Sequence, residues 1–266
     1  MERMGALAEA GQSRRDLFRR ARLSLSAALL PPNAMTAGQS APGPVSTVRA
    51  PLTPVMAKLS AYMSEARSRA LPDEVVEKAK QHILDTLAAM VSGSQLLPGR
   101  DAVRFARAYG GKQIATVVAS DVVCGPIEAA LTNGMLGHSD ETDDYAPSGP
   151  HPGCAVVPAA LALGEQFGVD GGQFIRAVTL GYDVAPRITL ALGGPGFMSK
   201  GRTRAHRPMA AIFGAAAAAG CVAGLSAQQM RWLLDYTAQQ ASGLPSWRRD
   251  TQHVEKAFVF GGMNAR

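Results

Sequence analysis

Four acidic residues, Asp140, Glu141, Asp143 and Asp144, fall within five positions of this chain, with His138 just before them and His151 just after. Crowded carboxylates repel one another and raise one another's pKa, and an imidazole beside them can trade protons near neutral pH. That combination suits general acid–base chemistry. Two other readings stand beside it. The segment could be a solvated acidic loop that caps the helix following from Ala155, or a metal site, because histidine with carboxylates is a common ligand set. Neither an HExxH nor an EF-hand spacing is present, and Cys124, Cys154 and Cys221 lack CxxC-type spacing. No metal and no cofactor is therefore assigned.

A second polar concentration runs from Lys200 to Arg207 and holds Arg202, Arg204, His206 and Arg207. Arginine forks grip carboxylates bidentately, so the run suits a polycarboxylate ligand. The alternative is a solvated basic loop.

The elements that must position these residues read as helices. Val75, Val76, Ala79, Ile83, Leu84, Leu87 and Val91 recur at three and four, which predicts a helix over 71–93 with Asp73 and Glu74 at its positive end. Further helices are expected over 101–109, 128–138, 155–167 and 172–192, and the β-branched run 114–119 is the best strand candidate. Small residues all round 209–223 predict a buried central helix that its neighbours approach closely. Ser226 with Gln229 then forms a capping box ahead of Met230, Leu233 and Leu234. The expected fold is mostly α, a bundle of six to eight helices. Between the acidic cluster and its following helix, Pro147, Gly149, Pro150, Pro152 and Gly153 restrict the loop.

Composition excludes several classes. The chain has 266 residues, 47% hydrophobic and 18% charged, which is globular and not disordered. Its net charge of +6 is uneven: residues 1–50 carry seven arginines against Glu2, Glu9 and Asp16, leaving the body close to neutral. With few aromatics as well, the body has no nucleic-acid footprint. Residues 13–19, Ser-Arg-Arg-Asp-Leu-Phe-Arg, resemble a twin-arginine export signal ahead of a short apolar stretch at 23–30. Residues 1–50 are thus expected to be a signal and linker, with the mature protein periplasmic and without a stable membrane anchor. A basic N-terminus with a chance arginine pair, in a cytoplasmic protein, is the alternative. Residues 209–225 are too small-sided and weakly apolar to span a bilayer.

The acidic segment resembles the signature of the MmgE/PrpD family. Asn133-Gly134, His138, Asp143-Asp144 and His151-Pro152-Gly153 match its order and spacing, as do Ile83-Leu-Asp-Thr-Leu87, Pro158 to Glu165, Phe213-Gly214 with the alanine run, and Glu255-Lys256 to Gly262. The resemblance covers about residues 53 to 266. It implies a helical domain of the MmgE/PrpD type over 51–266 and proton chemistry beside a carboxylate of a small polycarboxylate, leading to dehydration, decarboxylation or epimerisation. By the same resemblance His151 is the general acid/base candidate, Glu141 stands where the family usually has Asp, and Lys256 matches a lysine that binds substrate carboxylate or assists proton transfer. His138, Asp143, Asp144, Tyr145, Arg204, His206 and Arg207 are then expected at the substrate. Tyr145 replaces the small hydroxyl residue common in the decarboxylases, which argues against that branch or for a different pocket shape; dehydration of a 2-methylcitrate-like acid is the expected reaction. His206 lies one register off the family histidine.

Family members are longer and add an α/β lid, so the resemblance implies a truncated, lidless helical part, and a homodimer as its assembly. A non-catalytic helical fragment that binds an anion or a partner chain is the alternative function.

Overall fold

The sequence periodicities become eight helices of twelve or more residues among the described residues. The computed structural model describes residues 52–148, 151–193, 208–242 and 245–266, and Arg204, His206, Arg207 and the export-signal leader lie outside them. In chain order the helices are α1 (Pro54–Glu65), α2 (Asp73–Gly93), α3 (Leu97–Tyr109), α4 (Pro126–Gly137), α5 (Gly153–Phe167), α6 (Gly171–Ala191), α7 (Pro208–Ala223) and α8 (Ala227–Gln240). Strands β1 (Ala115–Thr116) and β2 (Val123–Cys124) form an antiparallel pair with Ala115 opposite Cys124. The chain then makes a 3-10 turn (Pro245–Arg249), α9 (Val254–Ala257), a π-helical turn (Phe258–Gly262) and α10 (Met263–Ala265). The mostly α expectation holds.

Three helices begin two to four residues earlier than their periodicity predicts, and the reason is shared. Pro98 and Pro126 occupy the first turns of α3 and α4, and Pro152 caps α5. A first-turn amide has no intrahelical partner, so proline there loses no hydrogen bond. The expected strand over 114–119 shrinks to two residues because Ala119 turns the chain at φ 55°. The capping box forms as read: Ser226 Oγ accepts from the Gln229 amide and Gln229 Oε1 accepts from the Ser226 amide at 2.9 Å. Such caps contribute about 1 kcal/mol.

Helix α7 is the centre of the bundle. Ala210, Ala211, Ala215, Ala217, Ala218 and Cys221 are all buried. At its crossing with α6, a Cβ on Gly214 would meet the Gly181 carbonyl oxygen at 2.7 Å, so both backbones touch. Small residues replace side-chain layers by close helix contact. Beside α7, an apolar groove of about 530 Å³ lies among α4, α5 and α8, lined by Ile127, Leu163, Ile212, Leu233 and Tyr236 and reaching Arg266. Among the described residues, no helix is long and apolar enough to cross a membrane.

Candidate active site

The Asn-Gly motif in α4 positions the site by packing. Asn133 is fully buried, its Oδ1 accepting from the Val118 amide and its Nδ2 donating to the Thr116 carbonyl, both at 2.9 Å. That ties the small hairpin to α4. Gly134 faces Gly261 of the π-helical turn so closely that a Cβ on Gly261 would stand 1.8 Å from the Gly134 carbonyl oxygen. The C-terminal turns therefore lie directly on α4, and Phe260 stacks on His138 at 4.8 Å and 14°. His138 caps α4 and is fully enclosed.

Asp143 joins the two histidines that bracket the acidic run. Its Oδ1 lies 2.9 Å from His138 Nδ1, and its Oδ2 lies 3.4 Å from His151 Nδ1. His151 packs edge-on against His138, its side chain 15% exposed where His138 is 0%. Burial pushes the Asp143 carboxyl up, but the two imidazoles together hold it well below the usual carboxylate range. An ionised Asp143 at Nδ1 favours the tautomer with the proton on that nitrogen, leaving the Nε2 lone pair of His151 on the opposite edge of the ring. Tyr145 lies edge-on to His151 at 5.3 Å and is half exposed.

Glu141 forms the second part. It adopts φ 58°, a left-handed conformation unusual for a side chain with a Cβ, and forms an ion pair with Lys256 from 115 residues away. Burial raises the Glu141 carboxyl, but the hydrogen bond and charge of Lys256 bring it below its ordinary value. Lys256 also lies 5.3 Å from the Trp247 ring centroid and 5.7 Å from that of Phe260, over their faces. His253 stands 3.6 Å from Glu141 and donates through Nε2 to the His138 carbonyl at 3.2 Å. Its pKa is lowered, first by burial and then by the His138 and Lys256 charges, against the pull of Glu141.

Asp144 turns the other way. Its Oδ2 lies 2.9 Å from His82 Nδ1 of α2, and its Oδ1 accepts from the Gly153 amide at 2.9 Å, fastening the start of α5. Burial raises its carboxyl, and the Asp143 charge adds to that rise. Asp140 accepts from Ser92 Oγ at 2.9 Å and from Thr142 Oγ1 at 2.7 Å.

The structure thus brings His138, Glu141, Asp143, Tyr145, His151 and Lys256 together, with Asp144 behind them. His138 and Asp143 are enclosed and face His151 rather than solvent. The crowding expected to raise all four carboxyls is realised only at Asp144; Asp140, Glu141 and Asp143 are lowered instead. Each has found its own donors, which outweigh mutual repulsion. The solvated-loop reading is partly met, since Asp144 does secure the α5 start, yet Asp143 is buried. Sequence reading missed His82 and His253. His82 looks like an ordinary member of an amphipathic helix, and no local spacing links His253 to the acidic run.

Compared with known families, the MmgE/PrpD N-terminal domain matches residues 57–266. The cis-aconitate decarboxylase-like protein oryM of Aspergillus oryzae is 27% identical over 227 residues, 80% of this chain and 47% of its own. A cis-aconitate decarboxylase of Aspergillus terreus is 29% identical over 201 residues, 72% of this chain and 40% of its own. The human cis-aconitate decarboxylase is 31% identical over 201 residues, again 72% of this chain, and 41% of its own. The chain spans less than half the length of each of these relatives.

Proposed function

Since the chain belongs to the MmgE/PrpD family, we propose that it carries the acid–base half of a lyase acting on a small polycarboxylate, with dehydration of a 2-methylcitrate-like acid as the reaction. One observation carries this reading: a buried ionised Asp143 holds two imidazoles, and only His151 reaches the surface.

His151 Nε2 takes the proton from the carbon beside a substrate carboxylate, and Asp143 stabilises the imidazolium that forms. As the C–O bond breaks, the imidazolium gives its proton to the departing hydroxide, so water leaves and His151 returns neutral. Lys256 supplies the cation for the substrate carboxylate on which negative charge builds. Glu141, kept ionised, holds Lys256 in place. Tyr145 borders His151, and Arg204, His206 and Arg207 are further candidates for the remaining carboxylates.

Decarboxylation is the second reading, favoured by the names of the relatives, all cis-aconitate decarboxylases or like them. Carbon dioxide release separates it from loss of water. Dehydration needs neutral His151 to take a proton from carbon, whereas decarboxylation needs protonated His151 to give one to the carbon that keeps the electron pair as carbon dioxide leaves. Incubation with citrate-like and aconitate-like acids in deuterated water therefore tests both through deuterium at that carbon. Solvent exchange at the carbon beside a carboxylate, lost in His151→Ala, supports catalysis. No exchange with any such acid leaves the alternative of a non-catalytic fragment that binds an anion or a partner chain. The homodimer and the periplasmic site of action belong to the same proposal.

A further inference from the structure

The His138–Asp143–His151 trio meets the donor requirements of a transition-metal site. One nitrogen of each imidazole and one oxygen of Asp143 lie within 4.8 Å of one another. Asp143 Oδ2, His151 Nδ1 and His138 Nε2 are buried without a hydrogen-bond partner among the described residues. The two that face each other, Asp143 Oδ2 and His151 Nδ1, stand 3.4 Å apart. Donors bound to one tetrahedral zinc at about 2.0–2.1 Å stand roughly 3.4 Å from each other. A shared cation would satisfy both atoms where the hydrogen-bond geometry does not.

We propose that His138, Asp143 and His151 form a binding site for a borderline first-row dication such as Zn2+, enclosed on the buried side of His151. The donor set selects the class of ion. Two imidazoles with one carboxylate suit zinc, cobalt or ferrous iron, whereas calcium and magnesium prefer an all-oxygen cage. The enclosing groups favour a closed site: Phe260 stacks on one face of His138 and meets His151 edge-on at 5.8 Å. His82, Asp144, Glu141 and Lys256 are already paired elsewhere and do not enter the trio.

Occupancy has a consequence that rests on the proposed acid–base role. A metal on His151 Nδ1 leaves the ring proton on Nε2, so the imidazole no longer offers a base. Metal and substrate proton then exclude one another at His151, and the ion is an inhibitor rather than a participant.

The test is a Co2+ titration of the full chain without an affinity tag, followed by visible absorption, with Zn2+ as competitor. The expected result is one equivalent of Co2+ per chain, displaced by Zn2+. His151→Ala and Asp143→Asn each weaken Co2+ binding by about tenfold or more, while His253→Ala and Glu141→Gln retain it. Because the first two variants could lose their fold, a second measurement uses the wild-type chain: Zn2+ should shield His151 from carbethoxylation by diethyl pyrocarbonate. No cobalt spectrum, a spectrum undiminished in both trio variants, or His151 modified equally with and without Zn2+ overturns the site. Binding without any solvent exchange leaves the metal site standing and removes the catalytic reading.

Discussion

Asp143 and Asp144, neighbours in the chain, hold different histidines: Asp143 Oδ1 lies 2.9 Å from His138 Nδ1, and Asp144 Oδ2 lies 2.9 Å from His82 Nδ1. The adjacent carboxylates diverge, one toward the buried His138 and the partly exposed His151 and the other toward α2. The pair therefore divides its labour. Asp143 sets the tautomer of His151, and Asp144 fastens the backbone two residues beyond it through the Gly153 amide.

Asp143→Asn should lower kcat by about 10²- to 10⁴-fold with little change in KM, because an amide cannot stabilise the imidazolium. His151→Ala should cost a similar factor. If the two residues act as a unit, the double variant is barely worse than either single one. Steady-state kinetics on the three variants checks this, and additive losses would separate their roles.

The two carboxyls should also shape acid stability in opposite senses. Asp143 is lowered in the folded state, so its contribution is present above the unfolded carboxyl pKa of about 3.9 and is lost as pH falls through the folded value. Asp144 is raised, so its contribution is present below about 3.9 and is lost as pH rises through its folded value. Urea unfolding between about pH 3 and 7 should show the stability deficit of Asp143→Asn shrinking toward acid. The balance between Asp144→Asn and wild type should shift toward the variant as pH rises.

Gly261→Ala should destabilise the protein by about 2 kcal/mol or more, because its Cβ would stand 1.8 Å from the Gly134 carbonyl oxygen. Backbone cannot yield as a flexible side chain does. Lys256 sits on α9, which leads directly into that turn, so the variant should lose activity at temperatures where circular dichroism still shows it folded.

Lys256→Met should raise KM for a polycarboxylate by about tenfold while Lys256→Arg recovers part of the loss, since the role needs a cation more than one geometry. Removal of the lysine also leaves Glu141 without its ion-pair partner. A thermal melt of Lys256→Met beside its kinetics distinguishes weaker substrate binding from a loosened loop.

Lysine in place of Arg14 and Arg15 should abolish export of a reporter fused after Ala50, if residues 1–50 act as a twin-arginine signal. Cell fractionation reads the outcome, and unchanged export by the variant would set the twin-arginine route aside.

By itself the sequence determined the helices and the address of the candidate site. Apolar recurrence at three and four is a local property, so α2, α5, α6, α7 and the Ser226 cap were legible within two residues, and the acidic run with its flanking histidines stood out by composition. The first-turn prolines shifted only boundaries. What the tertiary structure alone decided is which groups meet. Lys256 reaches Glu141 across 115 residues because glycines at 134 and 261 let two backbones touch, and His82 and His253 enter through helix crossings that no spacing announces. The same packing reversed the expected pKa rise at three of the four carboxyls. Repulsion between acids can be read from their proximity in the chain, but whether donors outweigh it depends on how the chain turns. Lys256 reaches Glu141 from a distant element, and His138, His151 and Thr142, though near in sequence, meet Asp143 and Asp140 only because the folded loop aims them there.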